Sequence, residues 1–329
     1  MEVYLILAAV IFGIFALGSI IGSFLNVVAH RGLSGESIVL PPSKCTKCGT
    51  KLKPWHNIPI LSYLCLGGKC AFCKEHISVQ YPIVEALTGL FAVAVLYKFQ
   101  LQPTAILTFI MLCLLTVMSV TDIREKVICT SHAWALIIAG LLFNGTITYF
   151  MINRLGQDIN YDLSFILSMP ITNAIIGAIA GAIVMEILAA TGYLFVKKRA
   201  FGLGDSFIAA GIGACTGLYG MLISIAFSVA VQVAFFLPAF FKKLANQKDF
   251  QTIVALTLFI ITAAVVSYVT HYIYIEEICQ YIMLAVLAII GIWAAIRVVK
   301  GLKSEGEATT ILPFGPAMAI GAALVVFLF

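Results

Sequence analysis

The pairs CTKC (45–48) and CAFC (70–73) put Cys45, Cys48, Cys70 and Cys73 in two short turns. A C-x-x-C turn presents two thiolates to one ion from the same side, and a second turn completes the tetrahedron. The pattern is that of a tetrathiolate zinc site. Gly49, directly behind the first pair, suits the tight reversal such a turn needs. Four thiolates leave no open coordination position, so the metal would be structural. Two disulfides are the other pairing open to these residues, and a cytoplasmic location, where thiols stay reduced, favours zinc. Cys65, Cys113, Cys129, Cys215 and Cys279 have no such spacing and read as small apolar packing residues.

A second chemistry is suggested by acids in apolar surroundings. Most acids lie between the apolar stretches, but Glu85, Asp122, Glu186 and Asp205 fall at or within them. Asp205 stands in FGLGDSF (201–207), framed by Gly202 and Gly204. Two carboxylates sharing a proton can activate water for attack on an amide, one taking the proton of the water while the other polarises the carbonyl. Gly202 and Gly204 would leave room for close approach of an extended substrate backbone. The plain structural reading is also open. An acid at a helix start can simply cap it, and Asp122 can pair with Arg124 or Lys126. Glu186 can be a buried helix contact or a functional acid.

These residues must be positioned by membrane helices. Of 329 residues, 62% are hydrophobic and 11% charged, against about 25% charged in ordinary soluble domains. Apolar stretches of about 20 residues, each long enough to cross a bilayer, recur along the chain. The sequence therefore predicts an all-α polytopic membrane protein. Its spans fall near 4–29, 82–98, 103–121, 133–152, 171–196, 206–220, 222–241, 251–271, 281–299 and 311–329. The long stretch 206–241 is divided around Gly217 and Gly220. No basic residue precedes Arg31, so the first stretch is expected to stay as a span rather than to be cleaved as a signal peptide. With the N-terminus outside and ten spans, 18 of the 20 basic residues fall in inside loops, in keeping with the positive-inside bias. Only Lys98 and Arg154 fall outside. This topology puts Asp122, ending the third span, and Asp205, opening the sixth, at one depth on the cytoplasmic side. The net charge of +5 lies in the loops and does not indicate nucleic-acid binding. The organisation that follows is a first helix (1–29), a cytoplasmic cysteine loop (30–81), a transmembrane catalytic core (82–241), additional helices (242–304) and a final helix (305–329).

Several stretches taken in order resemble the prepilin peptidases, the type IV leader peptidase and N-methyltransferase enzymes of pilus and type II secretion systems. They are GSFLNVVAHR (22–31), the two cysteine pairs, ISVQYPIVEALTG (77–89), TDIREKVI (121–128), GLGD (202–205) and LPFGPAMAIGA (312–322). The resemblance implies that Asp122 and Asp205 are the catalytic acids of a GxGD aspartyl protease, and that the four cysteines bind zinc. It implies cleavage of a basic prepilin or pseudopilin leader after a glycine at the cytoplasmic face of the inner membrane. Methylation of the new N-terminus with S-adenosylmethionine would follow. Arg31 and Glu85, flanking the cysteine loop, are candidate residues for the methyl donor. The chain departs from the family pattern at Phe207, where a lysine is frequent, and in VICT (127–130), where a proline is. Residues 242–304 add about two spans. Presenilin-type and signal-peptide-peptidase-type proteases also use GxGD, but pair it with Tyr-Asp and Pro-Ala-Leu motifs. Here Thr121 precedes Asp122. A transporter with two gating acids would carry them nearer the midplane.

Overall fold

The computed structural model describes residues 2–40, 42–45, 47–155, 163–196, 201–247 and 313–328, with isolated positions between 251 and 293. Its helices are α1 (Glu2–Ser34), α2 (Leu61–Cys65), α3 (Gln80–Phe99), α4 (Pro103–Glu125), α5 (Thr130–Leu155), α6 (Leu163–Ser168), α7 (Pro170–Val196), α8 (Leu203–Gln247) and α9 (Gly315–Leu328). Among the described residues, six helices are long and apolar enough to cross a membrane, and α9 is a shorter apolar helix. The protein is an all-helical, multi-pass membrane protein.

The chain divides into two compact units. One holds residues 1–187, 201–231 and 313–329; the other holds 188–200 and 232–312. The expected spans 251–271 and 281–299 lie mostly outside the described residues.

At the centre of the first unit is α4. It is apolar on all sides, as helices that are buried in a core or span a membrane are. It packs against α1, α3, α5 and α9, and Met111, Leu112, Leu115 and Met118 along it are fully buried. Burial along Leu115–Met118 and Val120–Asp122 fixes where its last turn, and therefore Asp122, must point.

Small residues let α7 and α8 meet backbone to backbone. A side-chain carbon at Gly213 would collide with the Gly177 carbonyl, and one at Gly181 with the carbonyl of Ala209. Backbones this close suit a membrane, where helices associate by packing rather than by a hydrophobic drive.

The division expected in 206–241 takes the form of a break. The helical trace runs from Leu203 to Gln247, but Gly217 leaves helical geometry at φ 73°, ψ −175°. Glycine adopts that conformation without the penalty a side chain would add. The break frees the Leu218 N–H, which donates to the Asn173 side-chain oxygen of α7 at 3.0 Å. An unbroken helix would carry Ser228 about 35 Å from Asp205. Instead Ser224 and Ser228 lie against Gly321, six residues into α9. The arm after Gly217 thus turns back toward the level at which α8 and α9 begin.

Two expectations need correction. The first helix runs beyond residue 29 to Ser34 and carries Arg31 with it. Cys65 is exposed rather than packed inside, because the five-residue α2 on which it sits buries none of its residues.

Candidate active site and metal centre

Asp122 lies in the last turn of α4. Lys126, in the left-handed conformation at φ 54°, ends that helix and donates its N–H to the Asp122 carbonyl at 3.0 Å. The Asp122 carboxylate is engaged from elsewhere. The N–H of Gly315, in the first turn of α9, donates to Asp122 Oδ2 at 2.8 Å. The first N–H groups of any helix have no partner within it, and that end is electropositive. A buried carboxylate there satisfies both conditions. Pro316, next in α9, has no N–H to leave unmet. A side chain at Gly315 would sit 2.8 Å from Asp122 Oδ2, so only glycine permits this approach.

Asp205 is held in a parallel way. It lies in the first turn of α8, and its Oδ2 accepts the Gly202 N–H at 2.9 Å while its own N–H donates to the Gly202 carbonyl at 3.2 Å. A side chain three residues into a helix that reaches back to the preceding N–H forms one half of a capping box. The capping role weighed from the sequence is therefore present, and it also aims the carboxylate. Asp122 is 6% and Asp205 7% exposed, so both are withdrawn from bulk water. The two are near enough for the charge of one to act on the other. The segments that hold them are tied by Phe201 and Phe314, edge to face with centroids 4.8 Å apart.

The two glycines of GLGD differ in their surroundings. The space beside Gly204 is taken by Ile128, whose Cβ would lie 2.7 Å from an added side-chain carbon. Gly204 therefore serves to seat α8 on the chain entering α5. Beside Gly202 such a carbon would meet only Asp205 Oδ2 at 3.6 Å and the Gly204 nitrogen at 3.9 Å. Phe207 packs on Trp134, with ring centroids 5.7 Å apart. Glu186 accepts the Ser206 hydroxyl at 2.7 Å, which makes it a contact between α7 and α8.

The cysteine loop builds two equivalent turns. In the first, the Cys45 N–H donates to the Thr50 carbonyl and the Gly49 N–H to the Cys45 carbonyl. In the second, the Cys70 N–H donates to the Glu75 carbonyl and the Lys74 N–H to the Cys70 carbonyl. Gly49 and Lys74 hold the same place, both with positive φ, at 70° and 59°. All four Sγ atoms lie within 4.8 Å of one another, and Cys45 Sγ and Cys73 Sγ are 3.9 Å apart. Tetrahedral zinc with bonds of about 2.3 Å requires sulfurs about 3.8 Å apart, so the donor set fits. All four are free thiols. Hydrogen bonding to Thr50 holds the Cys48 thiol down at about 6, and the backbone N–H groups of Cys73 and Phe72 lower that of Cys70. Cys73 is pushed up to about 11: its backbone bond to Glu75 favours the thiolate, but burial and the neighbouring thiols outweigh it.

The loop is tied to the helices through Glu85, which is 7% exposed on α3. Its carboxylate accepts the Ile60 N–H at 2.8 Å. Ile60 has φ 62°, a costly conformation for a β-branched residue. Arg31 is buried and donates to the Ser37 carbonyl at 2.8 Å. Sequence reasoning did not single out Gly315 or Asn26. The only signal for either was its place in LPFGPA or GSFLNVV.

Residues 16–99 match the bacterial peptidase A24 N-terminal domain, and residues 109–237 match the type IV leader peptidase family. A prepilin leader peptidase/N-methyltransferase of Pseudomonas aeruginosa is 36% identical over 151 residues, covering 39% of this chain and 52% of that protein. One of Myxococcus xanthus is 32% identical over 201 residues, covering 61% and 54%. One of Neisseria gonorrhoeae is 29% identical over 235 residues, covering 64% and 75%. The chain spans about half the length of the first two relatives. No solved structure matches it. The chain belongs to the type IV leader peptidase family.

Proposed function

We propose that this protein is a prepilin leader peptidase that also methylates the N-terminus it creates. The observation that carries the reading is the pair of buried carboxylates, Asp122 from the end of α4 and Asp205 from the start of α8. Each is held by a glycine N–H, and the segments that carry those glycines are tied by the Phe201–Phe314 contact. One carboxylate takes a proton from water, whose oxygen attacks the carbonyl carbon of the scissile amide. The other, protonated, hydrogen-bonds the carbonyl oxygen and then passes its proton to the leaving amine. The clients are type IV prepilins or pseudopilins, cut after a glycine. Of the two glycines offered for substrate approach, Gly202 is the one whose surroundings favour that role.

Cys45, Cys48, Cys70 and Cys73 would hold one structural zinc that organises a loop with little core of its own. S-adenosylmethionine, when bound, supplies an electrophilic methyl group to the new amine. The protein would lie in the inner membrane with its N-terminus outside. The cysteine loop and both aspartates would then be at the cytoplasmic face. The proposed organisation is ten spans: the first helix, the cysteine loop that follows it to residue 81, the core 82–241, the helices 242–304 and the final helix 305–329. A presenilin-type protease has no use for the cysteine loop, which disfavours that alternative. Coexpression with a prepilin, followed by mass spectrometry of the pilin, tests the reading. Removal of the leader after glycine supports it, and a cut inside the apolar segment, or none, refutes it.

A further inference from the structure

A cavity of about 430 Å³ opens between the end of α1, the start of α3 and the cysteine loop. Its size is in the range of sites for small molecules. Glu85 and Arg31 in its wall are less than a tenth exposed. Two further wall residues, Asn26 and His56, each carry a buried side-chain atom without a hydrogen-bond partner, Oδ1 of Asn26 and Nδ1 of His56. Asn26 spends its amide N–H groups on the carbonyls of Gly22 and Tyr81, at 3.4 and 3.2 Å. Its oxygen is therefore left over as an acceptor. Buried polar atoms are almost always partnered, and an exception calls for an explanation. A ligand bringing N–H or O–H donors supplies one.

The wall also carries both signs of charge. Glu85 would favour a cationic group, while Arg31 and Arg124 would favour an anionic one. A zwitterion that carries a carboxylate, cationic groups, hydroxyls and an amino group matches all of these at once. The position matches as well. Arg124 lies two residues beyond Asp122 on α4 and lines the cavity. A donor bound there would sit on the same face as the carboxylates that free the amine.

We propose that this cavity is the binding site for S-adenosylmethionine, with Glu85, Arg31, Arg124 and Asn26 as its recognition groups. The proposal rests on the methyl-transfer reading above.

The test is calorimetric titration of S-adenosylmethionine and S-adenosylhomocysteine into the purified full chain carrying Asp122→Asn and Asp205→Asn, without client. Glu85→Gln and Arg124→Gln are then added singly. Arg124 is exposed, so its replacement does not threaten folding, and zinc content and thermal unfolding check both variants. Binding at one site is expected. Glu85→Gln should weaken S-adenosylmethionine about tenfold or more, the worth of one hydrogen bond to a charged group. It should weaken S-adenosylhomocysteine less, because that molecule lacks the sulfonium charge. Arg124→Gln should weaken both several-fold. Unchanged affinities in both variants, while the chain with both aspartates intact methylates a coexpressed pilin, would overturn the site but not the activity. Failure of the unmutated chain to methylate that pilin would overturn the underlying reading itself.

Discussion

Replacement of Gly315 by alanine tests whether the start of α9 positions the catalytic pair. The added carbon would lie 2.8 Å from Asp122 Oδ2, 3.3 Å from its Cβ and 3.4 Å from its Cγ. The nearest of these is below any tolerable contact, so the carboxylate or α9 must shift. The shift breaks a buried hydrogen bond to a carboxylate, worth about 1.5–3 kcal/mol. Carried fully into the transition state, that loss slows cleavage by roughly 10- to 150-fold. The assay is single-turnover cleavage of a purified prepilin by protein in detergent, with rate and apparent affinity separated. A defect in positioning lowers the rate and leaves affinity nearly unchanged. Gly13→Ala is the control, because nothing lies within 4 Å of the added carbon. A Gly315→Ala enzyme that inserts, folds and cleaves at the unmutated rate would refute the clamp.

Other perturbations follow from the same contacts. Gly204→Ala places a carbon 2.7 Å from Ile128 Cβ. It should cost about 1–3 kcal/mol of overpacking, and Ile128→Gly, which removes the Cβ it meets, should recover part of the lost folded yield and cleavage in the same chain; additive losses would contradict that packing role. Lys74 occupies with φ 59° the place that Gly49 occupies in the other turn. Lys74→Gly should therefore stabilise zinc binding by up to about 1 kcal/mol, read as a higher chelator concentration needed to remove half the metal. Protons compete with zinc for thiolates. Zinc needs all four cysteines as thiolates, so it should be retained at neutral pH and released in acid. Metal retained unchanged down to pH 4 would contradict a thiolate site.

The chemistry-bearing residues were legible in the sequence because local spacing or an unusual setting marks them. Two C-x-x-C turns mark four sulfurs that could share one ion, and the structure brings those sulfurs together. An aspartate between glycines at the edge of an apolar run is conspicuous because burying a charge is costly. The break in the long apolar stretch was legible in Gly217 for the same reason of local chemistry. What holds the site was not legible. Gly315 is 193 residues from the carboxylate it holds, and it contributes a backbone N–H, which every residue but proline has. The partner of Gly204 is Ile128, an ordinary apolar residue that only the fold selects. Glu85 looked like an acid at the membrane edge. Its bond to the strained Ile60 N–H depends on how the cysteine loop returns to α3.

The central claim is that Asp122 and Asp205 together cut a client after its leader glycine. Intact-mass spectrometry of a prepilin coexpressed with the unmutated chain, with Asp122→Asn and with Asp205→Asn tests it most directly. Two carboxylates that act as a unit fail when either is lost. The account predicts a pilin shortened to the residue after the glycine with the unmutated chain, and full-length prepilin with both variants at equal membrane levels. Normal processing by either variant would contradict it.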